Sequence, residues 1–476
     1  MKYLALSSAI LLLTACTNSL DIQPVSELSD SFVQTKKGAT AILNAVYSDG
    51  QFTGDPGVNR IYVEESTTDV LINYRGALNI DVLPFQSFAW LPTASFLSQF
   101  YTKNYVTIRD ANILLASIAA NPELSAAEKA TMIAEARYLR ALAYYYLYGW
   151  FGPVALITKP FTSSGDDFKV PRTDETTLLT FIESELTASV TDLPQAVTQT
   201  GKATKGAALG VLTKFYLTTK NWAKAAATAK QIIDSNQYKL WPDYTTLFAI
   251  TNKGNSEMIF VYPCIAKSGF GNVWTANALP PQYPTSVFNT ATQVCMPVAF
   301  YNTFSAVDKR RSLLLALYTT SAGVVTDLTK GVEYQNPRSL KYPIDPAAAD
   351  RHHADDIPLL RYADILLARA EAMVMSTGSV SSEALNLFNQ IRLRAGLGAL
   401  TLMDVPDKTT FINLLLRERG WEFYSEGKRR EDFLRHDLFI QNALGRGLPA
   451  RDYQTRFPLP QSELDANSNL VQNTGY

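Results

Sequence analysis

Cysteine and histidine are scarce in this 476-residue chain, with three of each. Three cysteines, Cys16, Cys264 and Cys295, cannot frame a small disulfide-stapled fold. The histidines are the adjacent His352 and His353 and the isolated His436. Neighbouring side chains diverge on a helix or a strand, so the pair does not grip one metal ion without further ligands. Charge is also nearly absent in sum: 43 basic and 44 acidic residues leave a net charge of -1, with no Lys/Arg block. A nucleic-acid footprint needs such a block, so nucleic acid is excluded as a partner. No His-Glu-x-x-His helix, phosphate loop, dinucleotide glycine fingerprint or Gly-x-Ser-x-Gly elbow occurs, and most enzymatic readings lose their support. Beyond the first residues no apolar run is long enough to span a bilayer.

What is present begins at the N-terminus. Met1 and Lys2 precede an apolar run from Ala5 to Leu13, and Leu13-Thr14-Ala15-Cys16 follows. A positive start, a short apolar core and small residues before the cut make a secretory signal, expected to be removed as residues 1–15. The quartet resembles the bacterial lipobox, which implies acylation of Cys16 and an otherwise soluble body tethered by its lipid. Thr17 after the cysteine fits an outer-membrane destination. Cys264 and Cys295 are then left over, either paired with each other or as two buried thiols.

The body reads as mostly α. Ala39, Ile42, Leu43, Val46 and Tyr47 form one apolar helical stripe, and Leu97, Tyr101, Tyr105, Ile108 and Leu115 form another. Ser125-Ala126-Ala127-Glu128 has the pattern of a capping box opening a long helix that ends near Gly149 to Pro153. From Thr204 to Ser235 two alanine-rich helices meet at Lys220-Asn221, as in a tetratricopeptide unit. Tyr362, Ile365, Leu366 and Met373, then Ala384, Leu387, Phe388 and Ile391, repeat the plan, with Gly396 as a helix stop. The spacing therefore predicts a tetratricopeptide-like helical-repeat scaffold carrying long irregular loops with minor β. Two stretches, Gly50 to Pro92 and Tyr238 to Asp350, lose the helical period and are rich in aromatics, Pro, Asn and Thr. They are expected to be ordered loops, and loops on a rigid scaffold are where binding resides.

Two clusters invite a chemical reading. The acids Glu64/Glu65, Asp69, Asp166/Asp167 and Asp355/Asp356 would include a glycosidase pair only if folding set two of them at the right separation; acidic doublets are usually solvated surface. Glu418, Glu422 and Glu426 share a helical face, which suits a carboxylate metal site. Arginines are interleaved from Arg417 to Arg435, however, and the stronger reading is an ion-pair lattice joining packed helices.

Several segments in order resemble the RagB/SusD family of nutrient-uptake outer-membrane lipoproteins. They are Glu135-Ala136-Arg137-Tyr138-Leu139-Arg140-Ala141 with Trp150-Phe151-Gly152-Pro153-Val154, Pro358 to Leu367 with Ala370-Glu371-Ala372, Ile391 to Leu397, the Glu418 to Arg435 cluster, and the tail from Phe457-Pro458-Leu459-Pro460 to Gly475-Tyr476. The resemblance implies a non-catalytic, surface-exposed lipoprotein that binds oligosaccharide or polysaccharide and hands it to a SusC-like TonB-dependent transporter. It also implies an N-terminal helical region, 16–235, and a C-terminal region, 236–476, carrying ligand-binding loops at about 238–350. No cofactor is expected; loop oxygens leave room for a structural Ca²⁺, which is not predicted. Sugar rings suit exposed aromatic platforms flanked by polar side chains, so the ligand contacts expected from residue type and location are Asn73, Tyr74, Arg75, Trp90, Asn272, Trp274 and Tyr283, with the two tryptophans foremost. The competing readings are a peptide- or protein-binding member of the same uptake class and a surface glycosidase.

Overall fold

The computed structural model describes residues 30–48, 55–161, 168–197, 199–289, 293–348 and 350–476. Cys16, its preceding segment and Asp166/Asp167 lie outside them.

Helices formed by the expected stripes stack side by side. Lys36–Ser48 packs on Ser95–Ser117, which packs on Ala126–Phe151; Glu175–Asp192, Lys205–Thr218 and Trp222–Asp234 continue the row. Tyr362–Thr377 then docks on Trp222–Asp234 and Ser382–Arg394 on Tyr362–Thr377. The row thus runs on across the intervening chain from 235 to 361, and one apolar core extends from Val33 to Leu459 across the 235/236 division. The contacts are close because small residues line them. At Gly210 an added Cβ would stand 1.9 Å from Leu360 Cδ2, and Ala207, Ala208, Ala225 and Ala229 are buried at the seam of their helix pair.

Local chemistry sets the helix ends. Ser125 accepts a hydrogen bond from the Glu128 amide while the Glu128 carboxylate accepts from the Ser125 amide, closing the capping box. Beyond Arg394, Gly396 takes φ +81. The Leu397 amide donates to the Arg392 carbonyl and the Gly396 amide to the Leu393 carbonyl, the paired bonds of a Schellman stop.

The 236–361 excursion is closed at its base by an antiparallel pair, Met258–Tyr262 with Ile357–Arg361. Within it, short pairs join Leu314–Leu315 to Arg338–Ser339 and Leu317–Thr319 to Val325–Asp327. Ile72–Asn73 pairs with Val294–Cys295 and draws the first aromatic stretch onto the second.

Gly50 to Pro92, expected to be loop, instead holds helices Asp55–Ser66 and Leu78–Gln86. The first is buried on nearly every side from Val58 to Ser66, so it has no polar face to show a period. No helix among the described residues is long and apolar enough to cross a membrane.

Candidate functional site

Seven residues were expected at a binding surface, and the fold divides them. Trp90 and Trp274 are each 2% exposed. Trp90 packs between Phe88 and Phe457 and donates its Nε1 proton to Tyr476 Oη at 2.8 Å. Trp274 stacks on Tyr62 and donates to the Ser339 carbonyl at 3.1 Å. Asn73 and Asn272 are also buried and cap turns, their Oδ1 atoms accepting from the amides of Arg75 and Trp274. These four are therefore corrected from ligand contacts to core residues. Both tryptophans satisfy their one polar atom internally, which is what allows large rings to be buried.

Tyr74 and Arg75 are exposed and Tyr283 is half-buried. The strand pairing places Asn73 inward, so the next residue points out, and Tyr74 is 45% exposed. Gly76 turns the chain at φ +82 against Gln293, where a Cβ would come within 2.6 Å. Gln293 in turn accepts the Leu78 amide and donates to Asn277 Oδ1. The Arg75 guanidinium lies 5.7 Å from the centre of the Tyr334 ring.

Tyr334 belongs to a segment tied down by Arg338, whose guanidinium donates to the backbone carbonyls of Tyr334 and Asn336. Tyr318 alternates inward on its short strand, has Tyr334 and Arg338 as electrostatic neighbours, and donates its hydroxyl to the Pro281 carbonyl at 2.7 Å. Its ring is 5.9 Å from that of Tyr283. Tyr74, Arg75, Tyr334 and Tyr283 thus form one surface backed by the buried Tyr318, with exposed Phe288 in the segment beyond Tyr283. The sequence reading missed Tyr334 and Tyr318. Their only signal is an aromatic in a polar, strand-length segment.

Burial raises the Tyr74 phenol, with Cys295 adding to it. Burial lowers Arg338, and the like charge of Arg75 pushes the same way. Flat rings offer faces to the C–H faces of a sugar, while the guanidinium and hydroxyls offer donors to its rim.

Among the described candidate acids, Glu64, Glu65, Asp69 and Asp356 are engaged elsewhere, while both carboxylate oxygens of buried Asp355 lack a hydrogen-bond partner. Glu64 accepts from Trp150 Nε1, Glu65 from the amides of Glu426 and Gly427, and Asp69 from both Nε and Nη2 of Arg429. Burial pushes Glu65 up to about 7. Asp356 accepts from the Cys264 amide and pairs with Lys253, and Asp355 is buried, its carboxyl raised well above the usual range by desolvation. His353 Nδ1 accepts from the Asp345 amide, His352 contacts Asp350 and His436 contacts Glu371. Cys264 and Cys295 are free, buried thiols. Among the described residues no group of three His, Cys, Asp or Glu side chains is arranged to hold a metal ion.

Glu418 and Glu422 lie on the helix Lys408–Phe423, whereas Glu426, expected on the same helical face, lies in the turn beyond its end; the three form an ion-pair lattice. Glu422 accepts from Arg394 at 2.6 Å, Arg361 at 3.0 Å and Arg310 at 3.3 Å; Glu418 pairs with Arg310 and Arg392, and Glu426 with Arg361 and Lys341.

A separate cavity of about 370 Å³ lies between helix Ser95–Ser117, the strap after Ala155 and the terminal helix Gln461–Ala466. Tyr101, Tyr105, Phe161, Phe168 and Glu463 line it.

Known proteins match this chain over almost its whole length. Residues 341–454 match the family described as "SusD family", and residues 19–217 the one described as "Starch-binding associating with outer membrane". The Starch-binding protein SusD of Bacteroides thetaiotaomicron is 26% identical over 97% of this chain and 96% of its own length. SusD-like protein P2 of Formosa agariphila is 27% identical with both chains fully covered. In fold, a SusD superfamily protein from Parabacteroides distasonis superimposes with a TM-score of 0.80 at 24% identity, over 93% of this chain and 99% of its own. A laminarin-binding SusD-like protein gives 0.79 at 24% identity, over 93% and 100%. With the helical row, the closed excursion and these matches along it, the chain belongs to the SusD/RagB family.

Proposed function

We propose that this protein binds oligosaccharide or polysaccharide at the bacterial surface without cleaving it and delivers it to a SusC-like TonB-dependent transporter, held at the outer membrane by lipid on Cys16. The observation that carries the reading is the surface of Tyr74, Arg75, Tyr334 and Tyr283, braced from behind by buried Tyr318, short strand pairs and Arg338. Rigid aromatics with few rotatable bonds bind at low entropic cost. Full-length likeness to a starch-binding relative supports carbohydrate as the cargo, and the family description of residues 19–217 supports the outer membrane. Non-catalytic action fits the internal hydrogen bonds of Glu64, Glu65 and Asp69, which leave those acids no role on the tyrosine surface. The proposed binding needs no cofactor.

The test is titration calorimetry against a panel of soluble glycans. The unaltered protein binds at least one, and the double variant Tyr74→Ala, Tyr334→Ala loses that binding while keeping its circular dichroism. Release of reducing sugar from the bound glycan would select the glycosidase reading instead. A peptide-binding role is the second reading, favoured by the apolar cavity beside Tyr101 and Phe161; binding of a peptide mixture with no glycan bound would select it.

A further inference from the structure

The tyrosine surface has an unbalanced charge beneath it. Arg338 is 0% exposed, and its recorded partners are the backbone carbonyls of Tyr334 and Asn336. Its electrostatic neighbours are the Cys295 thiol, the Tyr318 phenol and the like-charged Arg75. Other wholly buried arginines here have a carboxylate in their field: Arg310 has Asp308, Arg361 has Glu426, Arg419 has Asp432, and Arg430 faces Glu64. A buried cation without a counter-charge is costly unless something supplies one.

Arg75, the exposed member of the pair, makes no ion pair among the described residues; its guanidinium rests over Tyr334 instead. Glu333, the nearest acid in sequence to Tyr334, pairs with neither arginine among the described residues and is exposed. Residues 290–292, next in sequence to Gln293, are Thr-Ala-Thr and carry no charge. Among the described residues, then, two guanidinium groups act on the same aromatic surface and neither is paired with a carboxylate.

We infer that the glycan taken by this surface is anionic, bearing a carboxylate or a sulfate half-ester, and that Arg75 meets that group while the tyrosines meet the sugar rings. Arg338 contributes field rather than contact, since its side chain is closed off. A planar guanidinium matches a carboxylate or sulfate with two parallel donors, which a neutral sugar cannot exploit. The inference rests on the oligosaccharide-binding reading.

The experiment compares matched-length oligosaccharides by calorimetry at low and high salt: an oligogalacturonate, a sulfated galactan and a neutral glucan. The expected result is tighter binding of one acidic ligand, weakened by salt, with the two acidic arms distinguishing uronate from sulfate. Arg75→Gln then lowers affinity for that ligand by about tenfold or more relative to its effect on the neutral one, and Arg75→Lys restores part of the preference. Binding of the neutral glucan as tightly as either acid, or an unchanged preference in Arg75→Gln, overturns the inference and leaves oligosaccharide binding intact. Binding of no glycan at all overturns both.

Discussion

Replacing Glu422 by glutamine tests the ion-pair lattice at its centre. Glu422 is 0% exposed and lies within 3.3 Å of three guanidinium groups. The lattice is balanced: five cations, Arg310, Lys341, Arg361, Arg392 and Arg394, meet five carboxylates, Glu257, Asp308, Glu418, Glu422 and Glu426. Glutamine keeps the volume but removes one negative charge and turns an NH₂ toward a guanidinium. One uncompensated positive charge then remains in a dry volume, where breaking a pair costs about 3–5 kcal/mol. Equilibrium guanidinium denaturation followed by tryptophan fluorescence measures the loss, with Asp234→Ala as control. Asp234 pairs with Lys230 in solvent, both more than half exposed, and its removal costs about 0.5 kcal/mol or less. A loss for Glu422→Gln no larger than the control's would refute the argument, because it would mean that water or neighbouring side chains already neutralise the site.

Three further outcomes follow from packing and charge. Gly210→Ala should destabilise the protein by about 1–3 kcal/mol because the new Cβ meets Leu360 at 1.9 Å; Gly398→Ala, with nothing within 4 Å, should change stability by less than about 0.5 kcal/mol in the same denaturation series. Trp274→Ala should cost about 3–5 kcal/mol in that assay, whereas Tyr74→Ala should leave the midpoint within error, separating the buried ring from the exposed one. Burial alone would raise the Glu371 carboxyl, but Arg435 and His436 outweigh it and hold it down to about 2. Its folded value lies below its unfolded one, so its stabilisation is fully present above about pH 4.5 and is lost as pH falls toward 2, by up to about 3 kcal/mol. Thermal melts across that window should show the loss, and Glu371→Gln should flatten it.

The helical row was legible because its signals are local. The stripes of Lys36–Ser48 and Trp222–Asp234, the Ser125–Glu128 box and the Gly396 stop each act within a few residues, where sequence and structure are nearly the same thing. Helix Asp55–Ser66 was not legible, since a helix covered on all sides carries no one-sided pattern, and Leu78–Gln86 was further obscured by Pro84 inside it. The site failed for a related reason. Trp90 and Trp274 have the residue type of a sugar platform, but their exposure is decided by Tyr476, 386 positions from Trp90, and by Ser339, 65 from Trp274. Tyr74 and Arg75 are exposed, as their place beside a turn suggests, while Tyr334 and Tyr318 became neighbours only through strand pairings that no periodicity announces.

The lattice shows why such a surface can be held still on an otherwise irregular excursion. The sequence reveals its central helix through Glu418 and Glu422, but not that the helix ends at Phe423, before Glu426, nor the cations that reach it from elsewhere. Arg310 and Lys341 come from the excursion itself, Arg361 from the strand that closes it, and Arg394 from the last helix of the repeat row. Lys341 follows three residues after Arg338, and Arg310 precedes the strand paired with Arg338 and Ser339. Both ends of the segment carrying Tyr318 and Tyr334 are therefore pinned by charge, Arg310 to Glu418 and Glu422 of the helix Lys408–Phe423 and Lys341 to Glu426 just beyond that helix's end. Loops that bind by presenting rigid rings need such pins, because each freely rotating segment would be ordered at the expense of affinity. In this protein the buried charges connect the helical body to the proposed binding surface, and the surface inherits its geometry from them.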